Sequence, residues 1–92
     1  MSLPVLVLYT REGCHLCDDA RALVQGLLEE RAARGQRIAT VQERDIASEP
    51  ALERQFFATI PVVEVAGQRL ELVTSALKLR RFLDEALDGS LV

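Results

Sequence analysis

Cys14 and Cys17 are the only two cysteines in the sequence of 92 residues, and His15 and Leu16 stand between them. On a helical turn, cysteines three positions apart bring their β-carbons close enough to form a disulfide. That disulfide closes a loop of only a few residues, so it stabilises a fold little through chain entropy. The spacing therefore predicts a pair that is opened and closed in thiol–disulfide chemistry.

The two cysteines are predicted to differ in environment. Cys14 stands at the start of a predicted helix, where free backbone N–H groups and the helix dipole favour an anion. This placement favours the thiolate, which is the attacking species in disulfide exchange. Cys17 lies one turn further and aligns with Ala20, Val24 and Leu28 on the flank of the apolar face, so we expect it to be less exposed. We predict that Cys14 attacks a substrate disulfide and that Cys17 resolves the mixed disulfide.

The charged neighbours of Cys14 act in both directions. Arg11 and His15 add positive charge that favours the thiolate. The acidic neighbours oppose it: Glu12, Asp18 and Asp19. A lone histidine in a surface turn is more often a solvated side chain than a catalytic base. His15 is therefore interpreted either as solvated or as a group that tunes the thiol.

A metal site is the main chemical alternative. A structural zinc site usually needs four Cys or His ligands, and this chain offers two Cys and one His within one turn. No metal site is therefore predicted in a single copy. Only a dimer, or outside ligands such as glutathione, could complete a zinc or iron–sulfur site. An inert buried pair is the remaining alternative.

The elements that position the pair follow from hydrophobic patterning. A continuous apolar run at residues 3–9 predicts a central strand covered on both faces, and the apolar spacing from Leu16 to Leu28 predicts an amphipathic helix. Strands are predicted at residues 3–9, 38–43, 61–65 and 69–73, and the last two form a hairpin. Helices are predicted at residues 14–34, 48–57 and 75–87.

Several residues indicate where these helices begin or weaken. Ser48 is the predicted N-cap of the second helix, with Pro50 in its first turn, and Thr74 or Ser75 is the predicted cap of the third. Gly26 is costly in the middle of the first helix, by about 1 kcal/mol relative to alanine. Close approach of a neighbouring element would explain it.

The element order is β-α-β-α-β-β-α. The first β-α-β unit connects parallel strands, and the closing hairpin adds antiparallel ones. The sequence thus predicts an α/β fold, with a four-stranded mixed sheet and helices on both faces. A chain of 92 residues supports a single domain, expected to span residues 1–92.

The composition and the N-terminal sequence indicate which classes of partner and which cellular compartment to expect. A hydrophobic fraction of 49% and a charged fraction of 27% are ordinary for a globular protein and argue against disorder. The net charge of −3 and the lack of a basic stripe argue against nucleic acid, and no apolar run reaches membrane-spanning length. The N-terminus lacks the pattern of a secretory signal, so we expect a cytoplasmic protein. We also expect it to be a monomer. In that reducing compartment a Cys pair indicates catalysis or metal binding.

Two motifs carry a family resemblance. The segment from Tyr9 to Cys17 is similar to the strand end, loop and dithiol site of the glutaredoxin branch of the thioredoxin superfamily. Thr59-Ile60-Pro61 resembles its Thr-Val-Pro segment, whose proline is cis and lies beside the cysteines. The resemblance implies a thioredoxin-like fold and a disulfide oxidoreductase. It also implies that Ile60 offers its backbone to a substrate peptide or glutathione. Small glutaredoxin-like proteins with Cys-His-Leu-Cys are the most similar.

The same resemblance implies where glutathione would bind. Arg11 takes the place of a family lysine that contacts the glycine carboxylate of glutathione. Thr74 and Ser75 take the place of groups that hold its γ-glutamyl end. The sequence departs from the family at Leu72-Val73, where the family has Gly-Gly, and at His15-Leu16, where it has Pro-Tyr.

The resemblance implies a function and two alternatives. No tightly bound cofactor is expected, and glutathione is a possible co-substrate. The expected partners are protein or low-molecular-weight disulfides and a reductant, either glutathione or of the thioredoxin type. One alternative is a dimeric module that binds a metal or an iron–sulfur cluster through one Cys14 from each subunit. The other is a non-catalytic interaction domain of the same fold.

Overall fold

A computed structural model describes residues 2–89, and its elements follow the predicted order. The strands are β1 (Val5–Thr10), β2 (Thr40–Asp45), β3 (Val62–Val65) and β4 (Gln68–Leu70). The helices are α1 (His15–Ala33), α2 (Pro50–Phe56) and α3 (Ala76–Asp88), and a short 3₁₀ helix (Ile46–Ser48) precedes α2. Within the described range, no helix is both long and apolar enough to cross a membrane.

The four strands form one mixed sheet in the order β2-β1-β3-β4. β1 and β2 are parallel, and Thr10 at the end of β1 pairs with Asp45. β3 runs antiparallel to β1, with Val62 opposite Tyr9. The end of β1 and the start of β3 therefore lie at the same end of the sheet. This register brings Pro61, which precedes β3, close to the loop that leads into α1.

Alternate residues of β1 face two different hydrophobic clusters. Leu6 and Leu8 lie in a cluster with residues of α1 and α3, whereas Tyr9 packs with Phe56 of α2. Helices therefore cover both faces, as predicted. The second face is only partly covered, because α2 has seven residues. Val5 is 49% exposed, so the prediction of full coverage for β1 is wrong at its first residue.

One side of α1 forms the interior of the larger cluster. Cys17, Ala20, Val24 and Leu28 are all buried along this side, as the periodicity predicts. Leu16 was expected on the same apolar face but is 49% exposed. In this first turn Cys17, one residue later, takes the inward position instead.

A buried arginine connects α1 to α3. Arg31 is only 4% exposed, yet each of its three guanidinium nitrogens donates a hydrogen bond. It donates to the Asp84 carboxylate at 2.6 Å, to the Asp88 carboxylate and to the Arg37 carbonyl oxygen at 2.6 Å. These bonds satisfy a charge that would otherwise be costly to bury.

Three local predictions are corrected. Ser48 is not the N-cap of α2, because it ends the 3₁₀ helix and its hydroxyl donates to the Asp45 carbonyl; Glu49 takes the cap position. β4 stops at Leu70, three residues earlier than predicted, since Leu72 adopts a left-handed conformation with φ of 50°. No atom lies within 4 Å of a β-carbon built at Gly26, so close approach does not explain this glycine.

Candidate active site

The cysteine pair lies where β1 passes into α1. Gly13 adopts a φ of 77°, which lets the chain turn between the two elements. Cys14 is the N-cap of α1, and its Sγ accepts a hydrogen bond from the Cys17 backbone N–H at 3.1 Å. A disulfide joins Cys14 to Cys17, and their Cα atoms are 5.2 Å apart. This separation lies within the usual range for a disulfide.

The two sulfur-bearing residues differ in burial. Cys17 is fully buried, whereas Cys14 is partly exposed. The predicted asymmetry in burial is therefore confirmed. A second molecule can reach Cys14 but not Cys17, since only Cys14 lies at the surface.

The segment Thr59-Ile60-Pro61 lies at the same end of the sheet. The Ile60–Pro61 peptide bond is cis, and Pro61 is fully buried. The carbonyl oxygens of Thr59 and Pro61 accept from the N–H groups of Leu72 and Val73, both at 2.9 Å. The segment after β4 is thus fixed against the proline segment.

Ile60 is only partly available to a substrate backbone. Its N–H donates to the Phe56 carbonyl oxygen at 3.1 Å. The predicted backbone contact from Ile60 must therefore come from its carbonyl oxygen, or replace the bond to Phe56.

The residues expected to hold glutathione have other partners or lie open. The Arg11 guanidinium forms an ion pair with the Glu53 carboxylate at 3.3 Å. The Ser75 hydroxyl caps α3 by accepting from the Lys78 N–H at 3.2 Å. Thr74 and His15 are exposed. Arg11 therefore carries a neutralising partner, and Ser75 has a structural role already.

An open cavity of about 330 Å³ lies beside the loop that leads to Cys14. Its lining includes two guanidinium groups and four carboxylates: Arg11, Arg21, Glu12, Asp18, Glu43 and Asp45. Arg21 binds both oxygens of Glu43 at 2.7 Å and also bonds Asp18 at 2.9 Å. The hydrogen bonds from Arg21 hold the pKa of Glu43 below its ordinary value, although partial burial acts in the other direction.

An aromatic and charged cluster on the α2 face supports the end of β1. Tyr9 stacks on Phe56 with ring centroids 4.4 Å apart, and the Arg69 guanidinium lies 5.0 Å from the Phe56 centroid. The Tyr9 hydroxyl donates to Glu64 at 3.3 Å. Burial, together with the nearby Glu64 carboxylate, raises the pKa of Tyr9. Sequence patterning did not indicate this cluster, because its members come from four separate elements.

Three exposed apolar side chains near this end of the sheet were also not predicted as a group. Leu16 is 49% exposed, Phe57 64% and Leu72 53%. Each belongs to a segment already described: the Cys pair, the end of α2 and the segment fixed against the proline. Periodicity alone assigned Leu16 to the core, so no sequence pattern indicated an exposed group.

Within residues 2–89, no group of three or more His, Cys, Asp or Glu side chains is arranged to hold a metal ion. The cysteine pair of one copy therefore has no further side-chain ligands of these types around it.

The chain matches the model of one known protein family. The model of the family described as Glutaredoxin-like domain (DUF836) matches residues 5–87. This range includes all four strands, α1, α2 and the cysteine pair. No curated protein matches the chain.

Two solved structures share the fold. A structural genomics target protein from X. campestris is 29% identical, with a TM-score of 0.65 over 88% of this chain and 97% of that one. A malarial protein is 14% identical, with a TM-score of 0.63 over 94% of this chain and 99% of that one. The second likeness shows the fold alone.

Proposed function

The chain belongs to the glutaredoxin-like domain family, and from this membership and the geometry of its cysteine pair we propose that it is a thiol–disulfide oxidoreductase. Cys14 is the attacking residue and Cys17 the resolving residue. The substrates are protein or low-molecular-weight disulfides.

One observation supports this proposal above the others. The Cys17 N–H donates to the Cys14 Sγ at 3.1 Å, and Cys14 is the more exposed of the pair. In the reduced protein, the same N–H and the N-terminal end of α1 stabilise a thiolate at Cys14. The accessible sulfur is therefore also the one that the helix activates.

The reaction proceeds in two exchanges. The Cys14 thiolate attacks one sulfur of the substrate disulfide, a new S–S bond forms, and the other substrate sulfur leaves as a thiolate that takes a proton. Cys17 then loses its proton and attacks the Cys14 sulfur, which releases the second substrate thiol. Two electrons pass from the dithiol to the substrate, and the Cys14–Cys17 disulfide remains.

A thiol reductant must restore the dithiol by the reverse exchange. Glutathione and a thioredoxin-type protein are the two candidates, and both operate in a reducing compartment such as the cytoplasm. The ion pair between Arg11 and Glu53 argues against strong recognition of the glutathione carboxylate.

The test is turnover by cysteine variants. We expect Cys14→Ser to abolish the reduction of an intramolecular peptide disulfide, because the accessible nucleophile is removed. Cys17→Ser should stop at the mixed disulfide, in which one peptide sulfur is bonded to Cys14 and the other is a free thiol on the same peptide. Each protein is assayed with glutathione and with thioredoxin as electron source. Full activity of Cys14→Ser would show that the proposed mechanism is wrong.

A further inference from the structure

Leu72 is held in a conformation that costs free energy. Its φ of 50° lies in the left-handed region, which side chains with a β-carbon rarely adopt. Its N–H is bonded to the Thr59 carbonyl at 2.9 Å, which fixes it beside the proline segment. The side chain is nevertheless 53% exposed, so core packing does not account for it. Backbone strain of this kind often marks a contact used in function.

Leu72 is an exposed apolar side chain at the end of the sheet where the cysteine pair lies, and Leu16 and Phe57 are two others. Leu16 lies between the two cysteines, and Phe57 follows α2 just before Thr59. We call Leu16, Phe57 and Leu72 the apolar rim. Its members come from three segments at the end of the sheet where Cys14 lies.

The loop that leads to Cys14 also borders a negatively charged surface, on the β1–β2 side of the sheet. The lining of the cavity next to Gly13 has four carboxylates against two guanidinium groups, an excess of two negative charges. Both guanidinium groups are already in ion pairs, Arg11 with Glu53 and Arg21 with Glu43. A cationic partner is therefore complementary to this surface, and an anionic one is not.

We propose that the substrate is a disulfide within a polypeptide that carries an apolar side chain beside the cystine and cationic side chains near it. Leu72 is the residue that determines this specificity. The proposal rests on the proposed oxidoreductase function and names its substrate class. In the two-step thiol–disulfide exchange, the peptide disulfide gains two electrons and two protons and becomes two thiols, while Cys14 and Cys17 become a disulfide.

Glutathione disulfide fits this surface less well. It is a small molecule with several carboxylates and no large apolar side chain to cover the apolar rim. Its carboxylates would approach an acidic cavity whose cations are already paired. The structure thus favours a larger cationic chain over this small anion.

Two disulfide-cyclised peptides test the proposal directly. They share a leucine next to one cysteine and differ only in that flanking lysines in one are glutamates in the other. The single-turnover rate constant of the fully reduced protein is measured with each peptide and with glutathione disulfide. We expect the lysine peptide to react roughly tenfold faster than the glutamate peptide, and this preference should shrink at high salt.

A matched pair of variants isolates Leu72. Leu72→Gly and Ala66→Gly each replace a residue of positive φ by glycine, since Ala66 has a φ of 52° in the turn between β3 and β4. That turn is at the end of the sheet opposite the cysteine pair. Both changes should stabilise the protein. Only Leu72→Gly should slow the lysine peptide, by roughly tenfold as expected for a lost apolar contact, whereas Ala66→Gly should react with it at the wild-type rate.

The outcomes separate the two proposals. Equal rates for both peptides, a faster reaction with glutathione disulfide, or an unchanged rate in Leu72→Gly would overturn the substrate class. If the reduced wild-type protein exchanges with none of the three disulfides, the proposed function itself is wrong. Thermal unfolding of both glycine variants shows whether each is folded.

Discussion

At Cys14 and Cys17 a single helical turn creates two different sulfur environments. Cys14 receives a backbone N–H and is partly exposed, whereas Cys17 is fully buried beside Ala20. The spacing of the cysteines and the helix periodicity were enough to predict this asymmetry. The difference arises from position on the helix, since both side chains are chemically identical.

The neighbours of Cys14 could not be predicted in the same way. The family resemblance implied that Arg11 would meet a carboxylate of glutathione, but the structure places the Glu53 carboxylate of α2 3.3 Å from its guanidinium. This pair joins residues 42 positions apart along the chain. No local pattern indicates such a contact, because it depends on how α2 lies across the sheet.

The Arg11–Glu53 pair gives a prediction at the residue scale. Glu53→Gln leaves Arg11 without a charged partner, so we expect KM for a glutathione mixed disulfide to fall by a factor of about two to five, the range of an exposed ion pair. Steady-state kinetics measure the change. Glu49→Gln removes an equal charge, from the residue just before α2. If both variants lower KM equally, general charge rather than Arg11 is responsible.

Among the elements, α1 carries the cysteine pair and also contains a residue that destabilises a helix. Gly26 lies within the helix, is exposed, and has open space around its missing β-carbon. The sequence indicated the cost of this glycine, but close approach of another element is not its cause. The structure gives no packing reason for it.

Gly26→Ala should therefore stabilise the protein. We expect the free energy of unfolding to rise by about 1 kcal/mol, because alanine restricts the unfolded chain and favours the helix. Urea unfolding measures the difference, and the thiol exchange rate serves as a control that should stay unchanged. A lower stability would mean that the added methyl group meets a contact absent from the structure.

Three elements meet at the Glu43 carboxylate. It accepts from Arg21 of α1 at 2.7 Å and from the Thr10 hydroxyl of β1 at 2.9 Å, and it lies on β2 itself. These bonds lower the pKa of Glu43. The stability that they provide is therefore present above the ordinary pKa of 4.5 and is lost as the pH falls through the lower pKa of the folded state.

The lowered pKa of Glu43 gives a prediction for acid unfolding. In wild-type protein the free energy of unfolding should fall as the pH drops below 4.5, and Glu43→Gln should reduce that dependence while lowering stability at neutral pH. Urea unfolding over a pH series measures both effects. Glu85→Gln on α3 is the matched control with one carboxylate removed. An equal loss of pH dependence in both variants would contradict the role assigned to Glu43.

The ends of the elements were harder to predict than their order. The apolar pattern extended β4 to residue 73, yet the strand stops at Leu70 because Leu72 is in the left-handed region. Serine is a common N-cap residue, but Ser48 is the last residue of the 3₁₀ helix, so Glu49 is the N-cap of α2 instead. At Leu72 a tertiary contact, the hydrogen bond to the Thr59 carbonyl, outweighs the local preference, whereas at Ser48 a local hydrogen bond to the Asp45 carbonyl does so.

For the whole molecule, hydrophobic patterning predicted the element order, the mixed four-stranded sheet and helices on both faces, and the structure confirms these three features. The strand order β2-β1-β3-β4, with α1 and α3 on one face and α2 on the other, was not predicted. The radius of gyration is 12.9 Å, which is close to that of a compact chain of this length. Hydrophobic patterning could not predict the surface at the end of the sheet where the cysteine pair lies, because its side chains come from separate segments of the chain.

The division of labour between the two cysteines is tested most directly by mass spectrometry of a trapped intermediate. Cys17→Ser is reduced and mixed with the cyclised lysine peptide, then quenched by acid. We predict a covalent adduct of the peptide mass, mapped by proteolysis to Cys14, and no adduct when Cys14→Ser is treated in the same way. An adduct at Cys17 in the Cys14→Ser protein, with none at Cys14 in its counterpart, would contradict the account.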